Sequence, residues 1–282
     1  MSEASTVAVP SSEGEQSNEP PVGMRSDVPA FAGGALIGSL GGLIGLGGAE
    51  FRLSLLIGPY RFRALEAVIL NKAMSLIVVA SALPFRAVAV PFASVADHWS
   101  VIVNLLAGSL VGAWLGAGWA TKLGSRTLYR VIAVLLVLIA GALLFGHETG
   151  GAHAVLSDAW QMVAGVAAGF GIGVVAALMG VAGGELLIPT LVLLFGADIK
   201  LAGSLSLAVS LPTMIVGFAR YSRDSAFATL SRNKRFVVIM AAGSIVGSFL
   251  GGRLLGLVPS TVLLPLLAAI LALSSVKVWR HG

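Results

Sequence analysis

The chain has 282 residues, of which 57% are hydrophobic and only 11% are charged, against about 25% charged residues in an average soluble domain. No water-soluble fold can hide this much apolar surface, so the lipid bilayer must act as solvent for most of the chain. The net charge of +5 comes from basic residues in short loops between apolar runs, and this placement indicates membrane orientation rather than nucleic-acid binding. The chain has no cysteine, which excludes disulfides and thiolate metal sites.

The first residues of the chain are polar. Residues 1–28 are rich in Ser, Glu and Pro and lack the basic start and apolar stretch of a secretory signal. We expect this stretch to be a disordered cytoplasmic tail.

Five apolar segments follow in each half of the chain. They are 29–47, 49–58, 64–83, 99–119 and 128–146, and then 160–181, 185–196, 200–219, 236–255 and 260–279. Most have the roughly 20 residues that a membrane-spanning helix needs. The second segment of each half is shorter, and its roughly 10–12 residues cover about half of the hydrocarbon core. Such a segment is allowed within a membrane only where protein or water surrounds it.

The two halves repeat each other at an offset of 135 residues. The matches form three clusters: Gly34, Gly38, Gly45, Gly48 and Glu50 with Gly169, Gly173, Gly180, Gly183 and Glu185; Ala67, Leu70, Ala73 and Ser75 with Ala202, Leu205, Ala208 and Ser210; and Gly108, Ser109, Gly112 and Gly116 with Gly243, Ser244, Gly247 and Gly251. Three clusters at one offset indicate a duplicated unit. The four-residue glycine spacing of the last cluster predicts a close helix interface.

Charge bias predicts that the repeats are inverted in the membrane. Loop 220–235 carries five basic residues and its partner 84–98 carries one, whereas loop 120–127 carries two and its partner 255–260 carries none. Basic loops face the cytoplasm, so the bias places corresponding loops on opposite sides. Inversion requires an odd number of crossings, which five segments satisfy, and both termini then lie in the cytoplasm.

These observations predict an all-α polytopic protein of the inner membrane. We expect a first transmembrane repeat at 29–146, an extracytoplasmic linker at 147–159 and a second repeat at 160–280. Each repeat has about five helical segments, one of them a broken or half helix.

Each short segment follows a glycine-rich break, at Gly45–Glu50 and at Gly180–Glu185. Glycine allows positive φ and close approach of a substrate, and the helix that follows presents free N–H groups that favour an anion. Inverted repeats with such interruptions indicate a transport site at the membrane midplane. We therefore expect substrate contacts at Gly47, Gly48 and Ala49 in the first break and at Gly183 and Gly184 in the second. The alternative is a tight packing turn without a ligand.

The sequences around these two breaks resemble a motif of a known protein family. Gly45 to Leu56 and Gly180 to Leu191, the latter with Pro189, resemble the duplicated glycine-rich motif of the sulfite exporter TauE/SafE family. The stretch Leu70-Asn71-Lys72 is similar to the Asn-Lys element that follows the family's first motif. This family consists of anion permeases, many of them linked to export of sulfite, sulfonates and related sulfur compounds.

The resemblance covers about residues 30–279 and departs from the family motif at two positions. Ser54 stands where the second repeat has Pro189, and Ala49 replaces a glycine. With the interrupted repeats, we expect a secondary transporter that moves a small oxyanion outward across the cytoplasmic membrane, and the resemblance implies sulfite or an organosulfonate as its substrate.

Two carboxylates occupy the same repeat position, Glu50 and Glu185. A carboxylate within a membrane segment is costly and often functional, and burial disfavours its ionised form. Since a neutral carboxyl does not repel an anion, both are candidates for proton coupling. The alternative is that each caps the first turn of its own helix.

The other candidates lie mainly in the first repeat. Arg52 and Lys72 have leucines at the equivalent positions, Leu187 and Leu207. Either cation can bind an oxyanion, and the alternatives are an ion pair with Glu50 or snorkelling to the interface. Asn71, Ser75, Ser206 and Ser210 complete the predicted substrate-binding set. Their polar groups can replace water around an oxyanion or can bond helix to helix.

Other classes of function lack the motifs they need. The chain has no Walker A motif, no catalytic constellation and no histidine paired with acidic residues inside a span, so we predict no enzyme, no metal and no cofactor. The expected partners are a small anion and membrane lipid, with no nucleic acid, and a homo-oligomer is left open. Two rival functions are a passive anion channel of the same fold and a non-transporting sensor or assembly component.

Overall fold

The fold was analysed in a computed structural model that describes residues 27–44, 48–86, 91–145, 158–197, 199–254, 276, 279 and 280. The regular structure within this part of the chain is entirely helical. In chain order the helices are α1 (Asp27–Ile44), α2 (Ala49–Ile57), α3 (Ala64–Arg86), α4 (Phe92–Ala96), α5 (Trp99–Lys122), α6 (Ser125–Phe145), α7 (Asp158–Met179), α8 (Gly184–Phe195), α9 (Ile199–Tyr221), α10 (Ala228–Arg232) and α11 (Lys234–Leu254). A 3-10 turn at Ser225–Phe227 lies between α9 and α10.

Several of these helices can cross a membrane. Four are long and apolar enough, with spans at Ala64–Ser81, Trp99–Lys122, Ala159–Met179 and Leu201–Tyr221, and a fifth is added if the segments Ser225–Arg232 and Lys234–Leu250, bent by 71°, form one span. The prediction of an all-α polytopic membrane protein is therefore confirmed for the described residues. Residues 1–26, residues 146–157 and nearly all of the segment predicted at 260–279 lie outside them.

The two predicted short segments are short helices. α2 has nine residues, of which eight are buried, so it spans only about 14 Å and is enclosed by protein. α8 has 12 residues and continues through Pro189. The helices α4 and α10 were not predicted, because a helix of five residues is too short to show a periodic apolar pattern.

The closest helix crossings join the two halves of the chain. Gly34 and Gly38 of α1 pack against α11 so tightly that a Cβ atom would stand 2.1 Å from the carbonyl oxygen of Met240 and 2.2 Å from that of Ser244.

The equivalent crossing, 135 residues away, joins α7 to α5. A Cβ atom at Gly169 or Gly173 would stand 2.3 Å from the carbonyl oxygen of Leu105 or Ser109, respectively. The first long helix of each half therefore packs on a late helix of the other half. The predicted glycine interface is confirmed where it is described, at Gly108, Gly112, Gly116, Gly243 and Gly247, all of which pack against backbone of the partner helix.

Contacts near the helix ends bring the basic loops together. Arg235 at the start of α11 pairs with Asp27 at the start of α1, and the side chain of Arg220 lies against Gly118 near the end of α5. Loops 120–127 and 220–235 thus share one end of the bundle. The orientation of this end in the membrane, and the inverted relation of the repeats, remain predictions.

Candidate functional site

The site begins with the glycine breaks. Gly48 precedes α2 with φ 66° and ψ 23°, and its repeat partner Gly183 precedes α8 with φ 81° and ψ 10°. Gly180 also has a positive φ, of 68°. Glycine adopts this left-handed conformation without steric cost, so the predicted positive φ at the breaks is confirmed. Substrate contact at Gly48 and Gly183 stays a prediction. Gly45, Leu46 and Gly47 lie outside the described residues.

The second break lies directly on α3 of the first repeat. A Cβ atom at Gly180 would stand 2.3 Å from the carbonyl oxygen of Val68 and 3.3 Å from the backbone nitrogen of Lys72. Position 180 therefore requires glycine for two reasons: the backbone has a positive φ, and there is no room for a side chain. This contact brings the end of α7 beside the polar residues of α3.

Asn71 on α3 connects both breaks through its side-chain amide. Its Nδ2 donates to the carbonyl oxygen of Ala49, at the start of α2, at 3.0 Å and to that of Met179, at the end of α7, at 3.2 Å. The first break and the residue before the second break therefore lie side by side. This is the juxtaposition that a shared transport site needs.

Arg52 extends from α2 into the same interior region. Its guanidinium is fully buried. Nε donates to Oδ1 of Asn71 at 2.9 Å, Nη2 to Oγ of Ser75 at 2.9 Å and Nη1 to Oγ of Ser244 at 3.2 Å. These bonds use three of the five N–H groups that a guanidinium carries, and all three acceptors are neutral.

Lys72 is the second buried cation. Its Nζ, with no solvent exposure, donates to the carbonyl oxygens of Ala176 at 3.1 Å and Val181 at 3.2 Å. The last carbonyls of a helix lack intrahelical partners and carry partial negative charge, so the ammonium caps the end of α7. Its Cε packs against Gly217 of α9, where a Cβ atom would stand 3.3 Å away.

The hydrogen bonds described for Arg52 and Lys72 go to neutral groups. Both side chains are fully buried, so the alternative of snorkelling to the interface is not what the described residues show. The alternative of an ion pair between Arg52 and Glu50 stays open. Glu50 is itself buried, and its carboxylate is close enough for its charge to stabilise the guanidinium of Arg52.

The second half of the chain has no charge at the equivalent positions. Leu187 is buried where the first half has Arg52. Ser206 donates to the carbonyl oxygen of Gly203 at 2.9 Å, and the buried hydroxyl of Ser210 has no hydrogen-bond partner among the described residues. The backbone of Glu185 lies in the first turn of α8, and its side chain is outside the described set.

Sequence reasoning missed two partners of this region. Ser244, which binds Arg52, lies 192 residues away on α11, and its only signal was the repeat match to Ser109. Tyr221 donates its buried hydroxyl to the carbonyl oxygen of Ala177 at 2.8 Å, and nothing in the sequence pointed to it. Among the described residues, no group of three or more His, Cys, Asp or Glu is placed to hold a metal ion.

The chain was compared with protein families, curated proteins and solved structures. The family model described as "Sulfite exporter TauE/SafE" matches residues 16–278. The comparisons with curated proteins and with solved structures gave no match. The family match covers both glycine breaks, the buried cations and the helices that enclose them.

Proposed function

The chain belongs to the sulfite exporter TauE/SafE family, and we propose that it moves sulfite, an organosulfonate or a related sulfur oxyanion outward across the cytoplasmic membrane as a proton-coupled secondary transporter. The observation that carries this proposal is the pair of fully buried cations, Arg52 and Lys72, whose hydrogen bonds within the described residues go to neutral groups.

A buried charge costs several kcal/mol of desolvation, so a purely structural role should use a neutral donor. The neighbouring carbonyls illustrate this point. Met179 and Ala177 are capped by the amide of Asn71 and the hydroxyl of Tyr221, which carry no charge. Lys72 performs the same capping with an ammonium group, and the extra charge is accounted for if an anion binds beside it.

Arg52 is suited to contact that anion directly. Asn71, Ser75 and Ser244 accept from the guanidinium and hold it in one orientation, and these bonds use three of its five N–H groups. A guanidinium can bind an oxyanion through two parallel hydrogen bonds. In this proposal the backbone N–H groups at the start of α2, after Gly48, and of α8, after Gly183 and Gly184, add the helix-dipole contribution.

The leucines at 187 and 207 imply one charged site in each chain, built mainly by the first repeat. In this proposal Ser206 and Ser210 contribute neutral contacts from the second repeat, and Ser75 acts by holding Arg52. Access from the two sides would alternate as one repeat moves against the other.

Glu50 supplies the proposed link to protons. An ionised Glu50 stabilises Arg52 and repels an anion, so anion binding favours the protonated carboxyl. Linkage makes this effect reciprocal, and protonation should tighten anion binding by the same factor. Glu185, at the same repeat position, is proposed to act in the same way from the second break.

Reconstitution into liposomes tests the proposal. The purified protein should give saturable [35S]sulfite flux, and an imposed pH gradient should drive accumulation against the electrochemical gradient of sulfite. A passive channel would equilibrate sulfite but would not accumulate it. Absence of any flux above protein-free liposomes, with sulfite, thiosulfate and methanesulfonate each tried, would refute the transport proposal.

A further inference from the structure

A second cationic cluster lies on the outside of the bundle, around Trp114 of α5. Cζ of Arg220 lies 5.5 Å from the centroid of the Trp114 ring, and Cζ of Arg223 lies 5.0 Å from it. We call these three residues the Trp114 patch. Arg220 lies in the last turn of α9 and Arg223 lies two residues after its end, so the patch joins two membrane-spanning helices at the end where the basic loops meet.

The backbone of α5 is shaped to receive one of these arginines. Gly118 lies one helical turn after Trp114, and a Cβ atom there would stand 3.3 Å from Nε of Arg220 and 3.4 Å from its Nη2. The missing side chain allows the guanidinium of Arg220 to lie along the surface of α5 rather than extend away from it.

The patch borders the lipid-facing surface. Around Trp114, itself 36% exposed, the apolar side chains of Val111, Leu115 and Trp119 on α5 are also exposed, at 52%, 40% and 49%. On a membrane-spanning helix, exposed apolar residues of this kind face acyl chains. A tryptophan at the border of such a surface is typical of the headgroup level.

The positive charge of the patch has no described counter-ion. No carboxylate forms an ion pair with Arg220 or Arg223 in the described residues. The nearest acidic residue in sequence, Asp224, accepts a hydrogen bond from the backbone nitrogen of Ala226 at 2.8 Å. Two guanidinium groups beside one ring repel each other, and an anion between them removes this repulsion.

We propose that the Trp114 patch binds the phosphate group of an anionic phospholipid. Guanidinium groups bind phosphate through paired hydrogen bonds, and basic pockets between membrane helices favour anionic headgroups. The exposed apolar face of α5 provides the surface on which the acyl chains of the same lipid lie. This site is separate from the buried cations and does not depend on the proposed transport activity.

Native mass spectrometry of the purified protein tests this site, with phosphatidylglycerol compared with phosphatidylcholine. The double variant Arg220→Gln/Arg223→Gln should retain at least fivefold less phosphatidylglycerol than the wild type. Trp114→Leu should reduce retention as well, without any change in net charge. The matched control is Arg126→Gln/Arg232→Gln, which removes the same charge from exposed arginines outside the patch and should retain the lipid.

Three results would overturn the proposal. Loss of as much phosphatidylglycerol from the control as from the patch variant would indicate a non-specific charge effect. An equal loss of phosphatidylcholine from the patch variant would exclude recognition of an anionic headgroup. Complete displacement of the lipid by millimolar inorganic phosphate would identify a site for free anions. Melting temperatures of all variants, measured in the same detergent, exclude unfolding as the cause of lipid loss.

Discussion

The most informative single substitution is Lys72→Gln, because it removes the buried charge and leaves a donor for the end of α7. Nζ of Lys72 binds two carbonyl oxygens, and the two N–H groups of a glutamine amide can serve the same acceptors. The substitution therefore keeps the hydrogen bonds that cap α7 and removes only the positive charge of Lys72. A structural role predicts little effect of this substitution, whereas a role in anion binding predicts a large one.

The size of the effect follows from the burial of the site. Two opposite unit charges 4 Å apart interact by about 4 kcal/mol at an effective dielectric constant of about 20. Since each 1.4 kcal/mol corresponds to about a tenfold change in affinity, the loss of the Lys72 charge should weaken anion binding by about 1,000-fold. Stability should not fall, because the capping bonds are kept and the desolvation cost of the ammonium is removed.

The assay is initial-rate [35S]sulfite flux in proteoliposomes over a wide range of sulfite concentrations, with melting temperature measured in parallel. We expect Lys72→Gln to fold and to show no saturation in the range where the wild type saturates. Lys234→Gln, which removes an exposed lysine at the start of α11, is the charge-matched control. A Lys72→Gln protein with a KM within threefold of the wild type would show that Lys72 is a helix cap and nothing more.

Three further substitutions test other parts of the account. Arg52→Leu, which introduces the leucine of the second repeat, should abolish saturable flux and lower the melting temperature. The buried hydroxyl of Ser244 and two other acceptors then lose their donor, at a cost of about 1–3 kcal/mol each. Unchanged transport kinetics would contradict the role of the guanidinium. Glu50→Gln should weaken the pH dependence of methanesulfonate affinity and leave only the part that Glu185 contributes, whereas wild-type affinity should rise as the pH falls. A parallel pH dependence in both proteins would contradict proton linkage through Glu50. Gly38→Val should prevent stable folding, since its Cβ would stand 2.2 Å from a carbonyl oxygen of α11. Gly171→Ala should be tolerated, because no atom lies within 4 Å of the position of its Cβ. Equal melting temperatures of the two variants would contradict the geometry of the crossing between α1 and α11.

The helices themselves were largely predictable from the sequence. Long apolar runs have one stable conformation in lipid, so their positions follow from composition, and the repeat at 135 residues made the short helices α2 and α8 recognisable as equivalent elements. The left-handed conformations of Gly48 and Gly183 followed from the same comparison.

The pairing of the helices was not predictable. A row of small residues indicates that a helix has a close partner, but the row does not identify that partner. The packing of α1 on α11 and of α7 on α5 joins residues about 200 and 60 positions apart. The Ser244 contact to Arg52 depends on this pairing, which is why it was missed.

The candidate site was predictable in part. The residue types and the repeat position identified Arg52, Asn71, Lys72 and Ser75, and the structure brings these residues together around the end of α7. Their hydrogen-bond partners are mostly backbone carbonyls and hydroxyl groups, which have no distinctive sequence pattern. Within the described part of the chain Lys72 has no ion pair with a carboxylate, and this property of its surroundings is visible only in three dimensions.

The central claim is that two buried cations hold one oxyanion in each chain, and equilibrium binding of [35S]sulfite to the purified protein tests it most directly. We predict saturable binding of about one sulfite per chain in the wild type, and none at the same concentrations in an Arg52→Leu/Lys72→Gln protein that remains folded. Equal binding by the two proteins, or no binding by the wild type to sulfite or to methanesulfonate, would contradict the claim.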